Sequence, residues 1–504
     1  MRRSKAVAFF NFSGGLNTKT AITSLNLNEA SDLQNINLLA STDPEKVGFE
    51  SRNGNSAFNS SAMVSASTAV SGLSYFRPTT GDDYLMAIAG TKIFKSDALD
   101  GAMDDITGAV TITGGANNIW TNAVMNDLSI FVGGAPDAPI KWNASGNAAA
   151  LSGSPPSGNF CFQANNYFFI GNTTANPSRI AWSILGNPQD WSGSGSGTQD
   201  VSTNDGDKLI GASVLAVDHV FLFKQNSVHD MITRTPPFPV YLKFRNVGAV
   251  SKRGILTVDG VIYFITPQPR MKATDGYKII EFPDTINDVW DGLNKSRLQY
   301  IQGVYYPKLR QIMWICSNGS STTNNYCIIW DLDRKCWLRH PTGYKMNCAA
   351  IAQDYLLYTG AYDGKIYKQD DSTVFTDASE SSAAINSYWR TGWQAYDDFI
   401  LDKIINYVDL NFSTQTVGQF KFGVGFDFES DRKLIDIDMQ SPGAQYGAGI
   451  YDLDVYGGLS DTTKIEFIKG RGKFLQFLIK ENGGLAKLKF NGFMATIKAG
   501  NPVK

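Results

Sequence analysis

The chain has 504 residues, a formal net charge of −2 at pH 7 and only 18% charged residues, so it carries no basic domain of the kind that holds nucleic acid regardless of sequence. Its five cysteines form no CxxC pair, which argues against a disulfide framework and indicates folding in a reducing compartment. No apolar run reaches 18 residues, so no membrane-spanning helix is predicted.

The first segment, residues 11–54, is rich in Asn, Thr and Ser. Its leucines and isoleucines follow neither the period of a strand nor that of a helix. It nevertheless contains too many aliphatic residues for a disordered tail. A segment of this kind is best explained as an extended chain that lies on a larger surface. We therefore predict that residues 1–69 form an extended N-terminal arm.

Strongly apolar strands recur from about residue 70 to residue 370, each after a tight turn of Asp, Asn or Gly. Seven of them begin at residues 84, 128, 167, 220, 261, 311 and 355, so neighbouring starts are 39 to 53 residues apart. Such a period in an all-β sequence is typical of the four-stranded blades of a β-propeller. The sequence therefore predicts a propeller of six or seven blades over residues 70–371.

The strands that follow these share a looser pattern, an isoleucine near an aromatic or apolar residue. They are the runs 91–95, 139–142, 179–182, 277–280 and 364–367. Asp-Gly pairs at 259–260, 275–276 and 363–364 are typical of hairpin turns. A stacked β-sandwich with regular hairpins would give much the same pattern, so that fold remains an alternative to the propeller.

The last part of the chain begins with a small, polar stretch at residues 372–384, which is predicted to be a linker. The later strands, at 389–393, 404–410, 419–428 and 474–480, alternate apolar and polar residues, as a sheet with one buried face does. Residues 385–504 are therefore predicted to form a C-terminal β-sandwich-like domain. A long connection within it is marked by Pro442, Gly443, Gly447, Gly449, Gly457 and Gly458. The predicted fold class is all-β.

Catalytic motifs do not stand out. The three histidines, His219, His229 and His340, are interpreted as structural, and no HExxH, nucleophile elbow or Walker A sequence occurs. Three cysteines and one histidine fall within residues 327–348, but their spacing matches no zinc motif. We therefore predict no catalytic residue, no metal and no cofactor, and the protein is not expected to be an enzyme.

Two groups of carboxylates have the composition of a metal-binding or catalytic site. One comprises Asp200, Asp205 and Asp207, and the other has five members between residues 427 and 438. Loop carboxylates of this kind can bind Ca²⁺, and a pair of them can cleave glycosidic bonds. Aspartate in turns more commonly caps backbone amides, and that is the preferred interpretation here.

Three stretches of the chain carry distinctive motifs. The first contains Gly-Gly-Leu-Asn-Thr (14–18), Leu27, Ser-Asp-Leu-Gln-Asn (31–35) and Arg-Asn-Gly (52–54). The second is the block 176–231, and the third is the run 326–337, which ends in tryptophan. Together they resemble the tail nozzle, or tail hub, proteins of short-tailed bacteriophages, also called tail tubular protein B or stabilisation proteins. In one departure, residues 47–51 replace the basic run that the family often carries before Arg-x-Gly.

The resemblance implies a structural virion protein of the phage tail that is made in the cytoplasm of the bacterial host. Its copies, commonly six, would form a ring below the portal-adaptor complex. That ring would extend the DNA channel, pass phage DNA in transit without specific binding, and hold tail fibres, spikes or a plug. The arm would then cross to a neighbouring subunit or to the adaptor and lock the assembly, with Gly14, Gly15, Leu16, Asn17, Leu33, Gln34 and Asn35 as its assembly residues.

The sequence leaves an alternative function open, that of a propeller that binds or cleaves glycans. Some propellers bind or cleave glycans, as a receptor-binding tail protein would. Specific sugar binding by an isolated monomer would favour this alternative over the ring-forming one.

Overall fold

The computed structural model of the protein describes residues 4–134, 136–396, 399–440, 461–481, 483–484 and 486–499. Within these ranges the chain forms seven β-propeller blades and a two-sheet β-sandwich. The predicted long connection marked by Pro442 to Gly458 lies outside the described residues. Among the described helices, none has the length and apolar character needed to cross a membrane.

The N-terminal segment consists of six short strands. They are β1 (Ser4–Phe9), β2 (Gly15–Leu16), β3 (Glu29–Gln34), β4 (Ile36–Leu38), β5 (Phe49–Ser51) and β6 (Gly54–Ala57). The first five belong to the sandwich, and β6 belongs to the last blade. The predicted separate arm at residues 1–69 is therefore corrected. The segment shows no period because its strands are short and change sheet repeatedly.

The first four blades each contain four antiparallel strands in chain order. Blade 1 has β7 (Val70–Phe76), β8 (Tyr84–Ala89), β9 (Lys92–Asp97) and β10 (Asp104–Asp105). Blade 2 has β11 (Thr121–Met125), β12 (Leu128–Val132), β13 (Ile140–Trp142) and β14 (Ala149–Ala150). Blade 3 has β15 (Gly158–Ala164), β16 (Tyr167–Thr173), β17 (Asn176–Trp182) and β18 (Gly197–Asp200). Blade 4 has β19 (Leu209–Ala216), β20 (His219–Lys224), β21 (Ser227–Ile232) and β22 (Val240–Arg245).

The remaining blades follow the same plan. Blade 5 has β23 (Ile255–Val258), β24 (Val261–Ile265), β25 (Met271–Thr274) and β26 (Ile279–Glu281). Helix α1 (Asn287–Asp291) and the 3₁₀ turn Lys295–Tyr300 lead to blade 6, which has β27 (Gln302–Tyr306), β28 (Gln311–Cys316), β29 (Tyr326–Asp331) and β30 (Cys336–His340). Blade 7 has β31 (Met346–Ile351), β32 (Leu357–Ala361) and β33 (Ile366–Asp371). The first strands of neighbouring blades contact one another in a closed ring around the propeller axis.

The second strand of every blade is the apolar strand that the sequence predicted, which gives seven blades. These strands are apolar throughout because both faces of a central blade strand are covered, as in β12 and β28, where every residue is buried. The prediction of the third strand was wrong in one blade. The run 277–280 leads into the fourth strand of blade 5, β26, whereas the third strand is β25.

The N-terminal segment closes the propeller ring. Strand β6 pairs antiparallel with β33 and thus supplies the fourth strand of blade 7. Two short strands, β34 (Thr376–Asp377) and β35 (Ala383–Ala384), extend this sheet beyond β6. The predicted linker at 372–384 is therefore part of the blade-7 sheet, and its Asp377 is buried.

The sandwich combines the N-terminal strands with seven later ones: β36 (Ser387–Thr391), β37 (Lys403–Ser413), β38 (Gln419–Phe426), β39 (Lys433–Asp438), β40 (Asp461–Gly472), β41 (Leu475–Glu481) and β42 (Lys489–Ala499). Sheet A has the order β4-β5-β42-β37-β40, with β1 also on β42, and sheet B has the order β2-β3-β36-β41-β38-β39. Their inner faces meet at stacked and edge-on phenylalanines, such as Phe477 and Phe493 with ring centroids 4.8 Å apart. The four predicted C-terminal strands are confirmed, but the domain does not begin at residue 385.

The sandwich packs on the outer strand of blade 6, β30, and the two share one continuous apolar core. Arg339 donates from Nε to the carbonyl of Leu33 at 2.7 Å. In return, the backbone N–H of Asn35 donates to the carbonyl of Arg339 at 3.1 Å. We call this contact region between β30 and the strands β2, β3 and β4 the seam.

Candidate functional site at the propeller axis

Two adjacent cations, Lys252 and Arg253, precede the innermost strand of blade 5 and extend toward other blades across the axis. The Nζ atom of Lys252 donates to the carbonyls of Ile119 (2.7 Å) and Asn159 (2.5 Å) and to Oδ1 of Asn159 (2.9 Å). These acceptors stand at the start of blades 2 and 3. One lysine therefore ties three blades together.

Arg253 makes the complementary connection. Its guanidinium donates to the carbonyls of Ser71 in β7 and Asn347 in β31, which belong to blades 1 and 7. The amide of Asn347 in turn donates to the carbonyls of Val70 and Ala116, both at 3.0 Å. Carbonyls at the starts of innermost strands face the axis, where a buried acceptor needs a donor, and these side chains supply it.

A cavity of about 530 Å³ opens on the face where the innermost strands of blades 2 to 6 begin. We call it the axial pocket. Its polar lining includes Asn117, Asn159, Lys208, Lys252, Gln299 and Tyr300. In the part of the chain that the structure describes, the lining contains no Asp or Glu. A third cation, Arg297, stacks on Tyr300 at 3.7 Å and donates to Oδ1 of Asn117 at 2.7 Å.

The charge of Lys252 is strongly perturbed. Burial and, to a smaller extent, the neighbouring Arg253 lower the pKa of its amino group, which the Cys161 thiol raises slightly, so that the pKa lies at about 7. Burial also lowers the pKa of Arg253. Within the described residues, no carboxylate is among the groups that act on either pKa, so burial disfavours the charged form of both side chains and no ion pair offsets that effect.

The predicted assembly residues lie elsewhere, in the seam. Gly15 has a left-handed backbone (φ +64°), and a Cβ there would lie 2.6 Å from the carbonyl oxygen of Trp337. Gly14 donates its N–H to Asn28 at 3.0 Å, and Leu16 is buried. Asn17 donates from Nδ2 to Oε1 of Glu29 at 2.9 Å. This Gly-Gly-Leu-Asn run is therefore held by its own chain.

The second set of predicted residues completes the seam. Leu33 is fully buried, and Gln34 donates from Nε2 to the carbonyl of Asn386 at 2.9 Å. Asn35 donates from Nδ2 to the same carbonyl at 2.9 Å and accepts from Nε of Arg52 at 3.1 Å. These residues join the propeller to the sandwich inside one chain, which differs from the predicted contact with a neighbouring subunit.

Beside the seam lies a buried ion pair that the sequence did not reveal. The guanidinium of Arg52 donates two hydrogen bonds to the carboxylate of Asp377, one of them 2.8 Å long to Oδ1. Both side chains are almost fully buried. Burial acts to lower the pKa of Arg52, but the Asp377 carboxylate outweighs it, so the pKa lies above its usual value. Arg52 belongs to a recognised motif, whereas nothing in the sequence links it to a carboxylate 325 residues away.

The histidines occupy three separate places. Nδ1 of His219 lies 3.1 Å from Oδ1 of Asp230, and His229 contacts Ser227 on the same strand. Nε2 of His340 lies 3.1 Å from the carbonyl of Ile36 in the seam. Burial, with a smaller contribution from Arg52, lowers the pKa of His340 to about 3, so this imidazole is neutral at physiological pH.

The cysteines are all free and buried, and burial raises their thiol pKa values. Among the described residues, no group of three or more His, Cys, Asp or Glu side chains is placed to hold a metal ion. In the first carboxylate group, Asp200 pairs with Arg179 at 2.6 Å and Asp205 with Lys224 at 2.8 Å. Asp207 caps the backbone amides of residues 225 and 226.

The second carboxylate group is also engaged locally. Asp427 accepts from the backbone of Phe474 at 2.9 Å, and Asp438 accepts from that of Gln440 at 2.9 Å. Asp436 pairs with Lys421 at 2.6 Å. These are the turn-capping and cross-strand roles that aspartate usually has.

Exposed large apolar side chains occur at several places in the described residues, including Ile465 and Phe467 on β40, and two groups of them combine aromatic side chains from more than one element. The blade-four edge comprises Tyr241, Leu242 and Lys243 on β22 together with Tyr277, which is 88% exposed and lies 5.7 Å from the Lys243 ammonium. The aromatic tip comprises Phe399, Ile400, Phe428 and Phe474, from three loops at one end of the sandwich. Phe399 is 69% exposed. Exposed clusters of this kind mark contact surfaces more often than scattered single residues do.

Comparison with known proteins yields fold-level likeness only. No protein-family model and no curated protein sequence matches the chain. Among solved structures, YCF48 bound to D1 peptide aligns at 10% identity over 63% of this chain and 96% of its own, with a TM-score of 0.39. The WD40 β-propeller domain of Doa1 aligns at 10% identity over 60% and 98%, with a TM-score of 0.38. XC5397 from Xanthomonas campestris, described as a gluconolactonase, aligns at 12% identity over 63% and 90%, with a TM-score of 0.33.

Proposed function

We propose that this chain is a structural subunit that assembles into a ring at the end of a short bacteriophage tail. The resemblance of residues 14–54, 176–231 and 326–337 to tail nozzle proteins motivates the proposal. The observation that carries it is the presence of two different exposed apolar surfaces, the blade-four edge and the aromatic tip, on two different parts of the molecule.

Two unlike surfaces suit a ring. A closed ring of identical subunits uses heterologous contacts, in which one patch of each copy meets a different patch of the next. A two-fold dimer would instead need one self-complementary patch. In the proposed ring, the blade-four edge of one copy contacts the aromatic tip of its neighbour.

The seam residues do not supply these contacts, because they are engaged within their own chain. This changes the expected effect of removing the N-terminal segment. The segment supplies five sandwich strands and the closing strand of blade 7, so its deletion unfolds the subunit rather than leaving a folded monomer.

The axis of the propeller is an unsuitable path for DNA, because Lys252 and Arg253 cross it. In the proposed assembly, phage DNA passes through the centre of the ring, between subunits. The portal-adaptor complex lies on one side of that ring, and fibres, spikes or a plug are held on the other.

The test is the oligomeric state of the purified chain, alone and with portal-adaptor rings, by multi-angle light scattering and negative-stain imaging. We expect closed rings for the wild type. Substituting Phe399→Ser and Phe428→Ser together, or Tyr277→Ser alone, should give folded monomers. Leu185→Ser removes an apolar residue that is 59% exposed outside both surfaces, and it should leave the rings intact.

Two outcomes would contradict the proposal. One is a wild-type chain that stays monomeric even with the adaptor. The other is loss of rings in the Leu185→Ser control to the same extent as in the surface variants, because assembly would then not depend on these surfaces.

A further inference from the structure

The axial pocket has the size and lining of a binding site for a small polar molecule. Its volume of about 530 Å³ lies within the range of ordinary ligand pockets. Its lining combines apolar groups with many side-chain amides and hydroxyls, including those of Asn117, Asn172, Gln299 and Tyr300. An apolar ligand would therefore leave many polar groups without hydrogen bonds.

The charges around the pocket are positive. Lys208 and Lys252 line it, and Arg297 stands directly behind Asn117 and Tyr300. Lys252 already donates to three oxygens and, with a pKa of about 7, is only partly charged at neutral pH, so it offers no new hydrogen bond. Lys208, in contrast, is exposed at the rim. It can therefore donate to an incoming anion.

Two carboxylates near the lining bond to neutral groups. Asp207, which precedes Lys208, accepts from the backbone of Gln225 and Asn226 at 3.1 and 2.8 Å. Asp137 accepts from Asn118 and from the backbone of Thr113 at 3.1 and 2.9 Å. Among the described residues, no carboxylate lines the pocket itself or is among the groups that shift the pKa of Lys252 or Arg253.

We propose that the axial pocket binds a small hydroxylated oxyanion, a phosphorylated or carboxylated molecule of about the size of one sugar. Its anionic group pairs with Lys208 above Lys252, and its hydroxyls bond to the amides of Asn117 and Gln299. Such a ligand contacts the starts of blades 2 to 6 at once, so it strengthens the ring of innermost strands. This site is independent of the surfaces that form the proposed tail ring.

The experiment is isothermal titration of the full-length chain at low salt, with thermal unfolding in parallel. The probes are glucose 6-phosphate, glucuronate, inorganic phosphate and glucose. We expect the first two to bind with a Kd of about 1 mM or tighter, and to raise the unfolding temperature by mass action. The preference between them identifies a phosphate or a carboxylate source. Glucose, which lacks the charge, should not bind.

Variants locate the site. Lys208→Gln removes the rim cation and should weaken binding about tenfold, since a charge-assisted hydrogen bond is lost. Lys252→Met should also weaken it, provided that the variant folds. Lys278→Gln changes an exposed lysine on blade 5 away from the pocket and should bind like the wild type.

Three outcomes would overturn the proposal. The first is the absence of binding by either sugar acid. The second is equal binding of glucose and glucose 6-phosphate, which would indicate a neutral glycan site. The third is an equal loss of affinity in Lys208→Gln and Lys278→Gln, which would indicate nonspecific attraction by surface charge.

Discussion

The region beside the seam and the propeller axis each contain a buried basic side chain. The pKa of that side chain is raised in the first place and lowered in the second. Beside the seam, Arg52 meets the carboxylate of Asp377, and its pKa is raised. At the axis, Lys252 meets only neutral oxygens, and its pKa is lowered to about 7. The first arrangement is a complete ion pair that joins two parts of the fold. The second borders a cavity and leaves Lys252 without a carboxylate partner.

The largest effect should follow from breaking the ion pair of the seam. Arg52→Met leaves Asp377 buried without its cation, which should cost about 3–5 kcal/mol of unfolding free energy. Urea unfolding followed by tryptophan fluorescence measures it. The matched control, Arg310→Met, removes an exposed pair with Asp333 and should change the unfolding midpoint little.

The double variant Arg52→Met/Asp377→Ala sharpens this result, because it removes both charges. It should recover part of the stability lost by Arg52→Met, since no uncompensated charge remains buried. A single variant as stable as the control would contradict the idea that the seam depends on this pair.

A smaller loss is expected at Asn55, which supports the same carboxylate. Its Nδ2 donates to Oδ1 of Asp377 and to the carbonyl of Gly343, both at 3.2 Å, and its Oδ1 accepts from the backbone of Ser379 at 2.9 Å. Asn55→Ala leaves these buried groups unpaired and should cost about 1–3 kcal/mol in the same urea experiment. A change within error would show that relaxation or water replaces the bonds.

The free energy of unfolding should also fall at acid pH, through His340 in the seam. The pKa of His340 is lowered from 6.5 to about 3 in the folded chain, so the unfolded chain binds a proton first as the pH falls. Stability is therefore fully present above pH 6.5 and declines below it, by up to about 1.4 kcal/mol per pH unit. Urea midpoints at pH 6.5 and 5 measure this loss. His340→Gln should flatten the dependence, and an unchanged slope in that variant would refute the assignment.

The free energy of unfolding should also depend on pH above neutrality, through Lys252 at the axis. This is the smallest of the expected effects. The pKa of Lys252 falls from 10.5 to about 7 on folding, so above pH 7 the unfolded chain retains a proton that the folded chain loses. Stability should rise from pH 7 to 8 by at most about 1.4 kcal/mol. Lys252→Met should lack this rise, whereas Lys278→Met should keep it. Parallel pH profiles for all three proteins would contradict the assignment.

The blades could be predicted from the sequence because each is a local unit. Strands such as β28 and β29 are neighbours in the chain, are buried on both faces, and repeat at a regular spacing. The sandwich could be predicted only in part. Its later strands alternate visibly, but β2 and β4 have two and three residues, too few to show any period.

The candidate site was missed for a related reason. Lys252 and Arg253 are simply two adjacent cations before a strand, and their acceptors are backbone oxygens, which no side-chain pattern reveals. The available signal for this site was the occurrence of two adjacent cations in a chain with only 18% charged residues. The motif residues Gly15, Asn35 and Arg52 were recognised, but their role in joining the propeller to the sandwich depends on partners about 300 residues away.

The pairing of β1 with β42 constrains the order in which this protein can fold during synthesis. Ser4 lies opposite Lys498 and Phe9 opposite Phe493, so β1 cannot pair until synthesis has reached β42, almost 500 residues later. Blades 1 to 6 need only local strands and can form as they leave the ribosome. The seventh blade and the sandwich close late, across a long sequence separation that slows folding. Until then the apolar side chains of β1 to β5 remain uncovered, which makes the nascent chain a substrate for chaperones.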